Sequence, residues 1–520
     1  MPLLLNRLIT AAAFLLLTPW PLLTAAAPGL PSNNVAWLAA ATDADIDRAF
    51  TQAKAQAKPV LLYWGATWCP PCNQLKATLF NRQDFAAQSK SFVAVHVDGD
   101  RPSAQKLGAR FKVGGYPTMI LFTAGGSEIT RLPGEVDAPQ VMALLQDGLA
   151  GGRPIAAVLA EARAGQSVNA NEWRMLAFHS WEVDESGLLD RADRPAVLAE
   201  LARKSQAQSD AEVTTRLWLK ALAASDDGKG IKPDATLRQR VHTVLGDAGL
   251  ARTHMDVLIG GATDIVKVLT ADDSADRTQL VAQFDATLVR LQADASLSRS
   301  DRVSALLERV ALARLGQAKD TTRPSLPAAL VQEVRELSVR MDREVTDPYE
   351  RMAVITAVAY VQGQAGLWAD SDALLKANLA KSHSPYYLMS QLGSNARKLG
   401  KKDEALRWYQ QAYDRSQGPA TRLQWGAGYL GALVELAPTD AARIEKAATQ
   451  VFADAAKDPG SFHDRSARSL QRVGKRLVTW SADGKHATSM KRLQAKLDSL
   501  CARVGPTEKV ACQGLLQAKT

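Results

Sequence analysis

The sequence predicts an α/β domain followed by a long all-helical region, and three observations lead there. Between residues 35 and 150, short apolar runs alternate with amphipathic segments and close in a hairpin and a helix. That order indicates a mixed sheet of about 110 residues. Beyond Ala150-Gly151-Gly152-Arg153-Pro154 the strand pattern stops, and Ala, Leu, Arg and Glu recur at helical spacing to the carboxy terminus. The full length of 520 residues exceeds what one ordinary core serves, so roughly two to four domains are expected.

Composition sets further bounds. Hydrophobic residues at 46% and charged residues at 22% are those of a globular chain and exclude wholesale disorder. The net charge of +9 is modest for this length. The densest basic stretch, Arg465 to Lys496, is interrupted by Leu, Val and Trp at helical spacing, which reads as a solvated helix face and argues against nucleic-acid binding. At the amino terminus, Arg7, the apolar run Leu8 to Leu17, the breakers Pro19 and Pro21, and Ala25-Ala26-Ala27 read as an export signal over residues 1–27. The apolar core is shorter than the ~20 residues of a spanning helix, and no later stretch is long and apolar enough to cross a membrane. The expected location is an oxidising compartment, a bacterial periplasm.

The elements follow in order. Val35 to Leu38 reads as an edge strand. Thr42 can cap a helix over residues 43–57, with Asp45 and Asp47 in its first turn and Ile46, Phe50 and Ala53 on one face. Pro59 to Trp64 is a buried strand, followed by a helix running to Phe80. Phe92 to Val97 is the next strand, ending at Asp98-Gly99-Asp100, and Pro102 opens another helix. Gly114-Gly115-Tyr116-Pro117 leads into the strand 118–123, Gly125-Gly126 turns it into 128–132, and a helix over 139–149 closes the domain.

Cys69-Pro70-Pro71-Cys72 lies where the buried strand gives way to its helix. This places Cys69 at a helix start, where unpaired N–H groups and the helix dipole favour a thiolate. Pro70 suits the first helical position, and Cys72 is one turn on, placed to resolve a mixed disulfide. The pair therefore reads as a redox dithiol. Neither proline has an N–H for the Cys69 sulfur, so the thiol pKa is expected to be moderately lowered, short of a strong oxidant's. Haem attachment would need His where Asn73 stands, and a zinc site would need two more ligands, so no metal and no cofactor are expected. The other two cysteines, Cys501 and Cys512, read as a structural disulfide closing a helix-turn-helix around Gly505-Pro506.

Trp68-Cys69-Pro70-Pro71-Cys72, with Tyr116-Pro117-Thr118 some 45 positions later, resembles the thioredoxin superfamily over residues 35–150. With Leu75-Lys76-Ala77-Thr78-Leu79-Phe80 it looks most like the periplasmic thioredoxin domain of the transmembrane reductant transporter DsbD; the Trp-Cys-Pro-Pro-Cys string also occurs in tryparedoxin-like proteins. The resemblance implies a thioredoxin fold, with Cys69 and Cys72 catalytic and Pro117 as the family's cis-proline. It also implies Trp68, Tyr116 and Thr118 as residues of the partner-binding surface. One departure is Tyr63, six residues before Cys69, where many family members carry a buried acid that moves the second cysteine's proton.

In the helical region, Leu392-Gly393-x-x-Ala396, Gly400, Lys402 to Leu406, Tyr409 and Ala412-Tyr413 resemble a tetratricopeptide repeat, with weaker echoes at 360–380 and 426–455. The expected division is a helical domain at 155–345, either diverged repeats or a separate bundle, and tetratricopeptide-like repeats with C-terminal helices at 346–520. Gly426-Ala427-Gly428-Tyr429-Leu430-Gly431 matches a dinucleotide fingerprint, but no strand precedes it, so close helix packing is its expected role. Trp173, Phe178 and Trp181 read as core. The expected function is an exported thiol–disulfide oxidoreductase, a reductase of protein disulfides, with the repeats selecting partners and a membrane thiol-electron transporter as donor. The alternative is an envelope interaction scaffold whose thioredoxin-like domain docks or senses redox state; the direction of electron flow stays open, with an oxidase or isomerase as a third reading.

Overall fold

A computed structural model describes residues 34–517 except 135–136, 182–187, 208–209 and 226–228. The export signal expected at residues 1–27 lies outside the described residues. The α/β part runs β1 (Leu38–Ala40), α1 (Asp43–Gln56), β2 (Val60–Gly65), α2 (Pro70–Thr78), α3 (Gln83–Gln88), β3 (Val93–Asp98), α4 (Ala104–Arg110), β4 (Thr118–Phe122), β5 (Glu128–Leu132) and α5 (Ala138–Leu149). The sheet order is β1-β3-β2-β4-β5, with β1, β3 and β2 parallel and β4 and β5 antiparallel to their neighbours. This is a thioredoxin-like sheet with helices on both faces, joined to a large all-helical region.

The central strand explains the uninterrupted apolar run in the sequence. Every residue of β2 is buried, because alternate side chains enter two different cores. Leu61 and Tyr63 pack with Leu75, Leu79, Met119 and Leu121 on one face. Val60, Leu62 and Trp64 pack with Ile46, Ala49, Ala53 and Leu107 on the other. Each fully buried Leu or Phe of this kind contributes about 1.5–3 kcal/mol. Thr42 caps α1 as expected, and Asp45 returns the bond to the Thr42 N–H. The edge strand falls three residues later than expected. Trp37 is turned into the core against Phe80 and Tyr63, so ladder pairing with β3 begins only at Leu38.

The helical region comprises α6 (Ile155–Ala164), α7 (Ala170–Phe178), α8 (Arg194–Ser205), α9 (Ala211–Ala224), α10 (Ala235–Gly246), α11 (Ala248–Thr253) and α12 (Met255–Leu269). It continues with α13 (Ala275–Ala293), α14 (Arg299–Ala313), α15 (Ala328–Glu344), α16 (Pro348–Gln364), α17 (Trp368–Asn378), α18 (Pro385–Lys398) and α19 (Lys402–Arg415). The last helices are α20 (Pro419–Leu436), α21 (Ala441–Ala455), α22 (Asp464–Trp480), α23 (Ala487–Cys501) and α24 (Pro506–Gln513). Trp173, Phe178 and Trp181 are buried in a core that runs without interruption from the sheet into α6–α14. Within it Arg216 donates to both carboxylate oxygens of Asp256 and to the Ala177 carbonyl, which locks α9 to α12 and α7. Such a buried ion pair is costly to break from one side, by about 3–5 kcal/mol.

The later helices form hairpins. Gly400, at φ +72°, turns α18 into α19, and Gly393 lets Tyr409 approach so closely that a Cβ there would stand 3.0 Å from the ring. Gly426 does the same within α20, facing Val451 and Tyr413. Its motif lies mid-helix and serves packing. Among the described residues no helix is long and apolar enough to cross a membrane.

Candidate active site

The loop after β2 is pinned by Asn73, whose Nδ2 donates to the carbonyls of Thr67 and Cys69, each at 2.8 Å. This sets Cys69 as the N-cap of α2, and its sulfur accepts the Cys72 N–H at 3.2 Å. Pro70 and Pro71 offer no N–H, so Cys72 supplies the backbone donor. Cys69 and Cys72 are joined in a disulfide with Cα atoms 5.2 Å apart. The Tyr116–Pro117 peptide is cis, and Thr118 Oγ1 donates to the Gly115 carbonyl at 2.8 Å, fixing the turn before β4.

The expected partner surface is covered by the chain itself. Cys69 is 2% exposed, Cys72 0% and Trp68 8%. Tyr387 from α18 stacks on Trp68 at 5.9 Å, Trp425 from α20 meets it at 5.3 Å, and Arg465 from α22 lies 4.4 Å over its ring. Tyr116 is wedged between Trp64 and Trp68. Thr118 is buried as well.

One carboxylate holds this cover closed. Asp100, just past β3, accepts from Trp68 Nε1 at 2.7 Å, from Thr421 N–H at 2.9 Å and from Thr421 Oγ1 at 2.6 Å. It thereby satisfies a free donor in the first turn of α20, where a negative charge is favoured. Around it the Thr67 carbonyl meets His383 Nε2 at 3.0 Å, Asp458 accepts the Ser103 N–H at 2.8 Å, and Gln105 Oε1 accepts the Arg465 N–H at 3.1 Å. Sequence reasoning had Asp98-Gly99-Asp100 only as a strand end. A carboxylate at the carboxy edge of the central strands was the available signal, but its partner Thr421 is more than 300 residues away.

Beneath α2 lies a second group, of which the sequence singles out only Tyr63. Tyr63 fills the position where an acid was missing; it is fully buried, and its hydroxyl has no hydrogen-bond partner among the described residues. Its ring stacks on His96 at 5.1 Å. Asp98 lies directly across from Gly65 in the β2–β3 ladder. Burial, reinforced by Asp100, pushes its carboxyl up to about 6. Lys76, one turn after Cys72 on α2, is buried, which brings its ammonium down to about 8 against the pull of Asp98. Burial, with Lys76 nearby, holds His96 at about 3. Among the described residues no group of three or more His, Cys, Asp or Glu is placed to hold a metal ion.

At the other end of the chain, Cys501 and Cys512 are joined with Cα atoms 5.6 Å apart and link α23 to α24.

Comparison with known proteins places the class first. Residues 46–149 match the family described as Thioredoxin-like domain. Within that class, the chain is 31% identical over 114 residues to thiol:disulfide interchange protein DsbD 1 of Pseudomonas aeruginosa, covering 21% of this chain and 19% of the relative. It is 36% identical over 110 residues to DsbD of Cronobacter sakazakii, covering 20% and 19%. The similarity thus spans about a fifth of these relatives' own length. Among solved structures, a chain titled DsbH Oxidoreductase aligns at 21% identity and a TM-score of 0.20, over 25% of this chain and 93% of that one.

Proposed function

We propose that this chain is an exported thiol–disulfide oxidoreductase that reduces protein disulfides through Cys69 and Cys72, with a membrane thiol-electron transporter as its source of electrons. The observation that carries the reading is Cys69 at the helix N-cap, its sulfur accepting the Cys72 N–H. In the reduced pair, the Cys69 thiolate bonds one sulfur of the partner's disulfide, and the other partner sulfur leaves as a thiolate that takes up a proton. Cys72 then attacks Cys69, the mixed disulfide breaks, and the second partner thiol is released. Two electrons have passed to the partner, and the Cys69–Cys72 bond has formed. The Tyr116 backbone before Pro117 receives the partner chain as an added strand once the cover lifts.

Tyr63 does not take this proton, because burial, with Asp98 close by, raises its pKa far above the ordinary phenol and keeps the hydroxyl protonated. Asp98 and Lys76 are the groups assigned to the Cys72 proton. The helical hairpins, tetratricopeptide-like in sequence, choose the partner. The test is a Cys72→Ser variant of the full chain, which should accumulate covalent adducts on Cys69 with client proteins; a chain that turns over no small disulfide and traps no client overturns the reading.

A second reading has its own observation: the dithiol is buried under α18, α20 and α22. A scaffold that senses redox state through this site would retain its binding partners in a Cys69→Ser/Cys72→Ser variant and trap no client in the Cys72→Ser variant.

A further inference from the structure

Helix α22 carries Arg465, Arg468, Arg472 and Arg476 at spacings of three and four, which aligns them on one side. At one end Arg465 lies over Trp68 and, at 5.1 Å, over Tyr116. Its two terminal nitrogens are buried without a hydrogen-bond partner among the described residues, and Asp100 Oδ1 stands 3.9 Å from one of them. At the other end Arg472 and Arg476 line a cleft of about 340 Å³, together with Arg397, Tyr409 and Trp425. Gly428 and Gly431 form part of its wall. A Cβ on Gly428 would meet nothing, and one on Gly431 would reach only the Arg476 guanidinium at 3.9 Å. The glycine run that imitates a nucleotide fingerprint therefore does two jobs. Gly426 packs helices, and the next two glycines leave the cleft open.

Charge at the cleft end of this row is poorly compensated. Arg468 pairs with Asp464, and Arg397 faces Glu435 at 3.4 Å. Arg472 donates to Ser469 Oγ at 2.9 Å, and although Glu435 also lines the cleft, it pairs with Arg397, and neither Arg472 nor Arg476 forms an ion pair among the described residues. Burial and the adjacent Arg465 and Arg468 depress the Arg472 guanidinium below its ordinary range. Crowded guanidinium groups of this kind are relieved by carboxylates, which they bind in forked pairs. The row covers about 16 Å along the helix, the reach of roughly five extended residues. Trp425 links its two ends, since it lines the cleft and contacts Trp68 beside Cys69.

We infer that the arginine row of α22 and the adjoining α20 cleft are the docking track for an acidic, extended segment of a protein partner, whose disulfide is presented to Cys69 at the Arg465 end. The last clause rests on the exchange reading above; the acidic segment does not. A single small anion would fill one end of the track, whereas the spacing of the row calls for several carboxylates on one chain. A carboxylate that reaches Arg465 also competes with Asp100 there, at the edge of the Trp68 cover.

The test uses the full chain with Cys69→Ser and Cys72→Ser, so that binding is read apart from exchange. It is titrated by fluorescence anisotropy with a labelled peptide of about ten residues holding about four glutamates, and with the same peptide carrying glutamines. The acidic peptide should bind about tenfold tighter. That preference should fall below about twofold when Arg472→Gln and Arg476→Gln are added, and likewise at high salt. Equal binding of the two peptides overturns the proposal, as does a preference that survives loss of both arginines. Binding to phosphatidylglycerol vesicles that the acidic peptide does not displace overturns it in favour of a membrane surface. Turnover of an uncharged small disulfide by the unaltered chain reports the exchange reading separately, so a track that fails while turnover persists falls alone.

Discussion

The bond between Cys69 and Cys72 and the bond between Cys501 and Cys512 are both buried, both close short loops, and both belong to one continuous apolar cluster. Their surroundings differ in kind. Cys69 begins a helix, accepts an N–H at its sulfur, and is covered by aromatic rings pinned to a carboxylate. Cys501 ends a helix, where the dipole opposes a thiolate, and Leu497, Leu500, Leu515 and Leu516 lie in the cluster around it. On the proposed reading, in which Cys69 is reactive and the distal bond structural, burial alone does not separate the two. The helix end each occupies and the polarity of its cover do.

The comparison can be broken most directly by deleting each pair. Cys69→Ser should reduce exchange with a small disulfide to the uncatalysed background, whereas Cys501→Ser/Cys512→Ser should leave that rate within about twofold and lower stability by roughly 3 kcal/mol, from loop entropy. Chemical denaturation and a turnover assay on both variants check this. Equal losses of activity would erase the distinction.

Next in size is the cover. Asp100→Ala leaves the Trp68 indole N–H and two Thr421 donors without their acceptor. The expected cost is about 2–3 kcal/mol of stability, with alkylation of reduced Cys69 about tenfold faster. Protection unchanged in this variant would mean that the apolar contacts alone seal the site.

The buried pair beneath the dithiol gives a pH signature that the distal disulfide lacks. Asp98 is raised from 3.8 to about 6, so the folded chain favours its neutral form. Its contribution to stability is full below about 4 and is lost as pH rises through about 6. Lys76 runs the other way: lowered from 10.5 to about 8, it contributes fully above about 10.5, and that contribution is lost as pH falls through about 8. Asp98→Asn should therefore be more stable than the parent at pH 7, by up to roughly 3 kcal/mol, and no more stable at pH 4. Denaturation midpoints at the two pH values decide it. The same variant should slow the resolving step about tenfold.

The smallest effect is expected at the rim. Lys106→Ala removes the contact with Glu508 at 3.3 Å, which should change stability by less than about 0.5 kcal/mol and leave alkylation unaltered. A larger change would spread the clasp beyond Asp100.

Much of the site was legible from residue order. A strand with two buried faces is a continuous apolar run, and a cysteine before Pro70 at a strand-to-helix turn is an N-cap; both are local facts, and the structure has them at Val60–Gly65 and Cys69. The edge strand slipped from Val35–Leu38 to Leu38–Ala40 because Trp37 found its place among Tyr63 and Phe80, which no periodicity over four residues reveals. Lys76 was hidden for a similar reason. Its position on α2 is amphipathically ordinary, and it is buried where α16 packs on that helix, its ammonium 5.1 Å over the Tyr349 ring.

By itself, the sequence determined the sheet, the dithiol and its helix, and the change to helices after residue 154, because each depends on side-chain period, turn residues and caps within a few positions. The tertiary structure alone decided that Trp68 meets Tyr387, Trp425 and Arg465, and that Asp100 caps a helix beginning at Pro419. Those contacts join residues hundreds of positions apart. Their energy comes from shape and charge matching between surfaces, and short-range pattern carries no record of that.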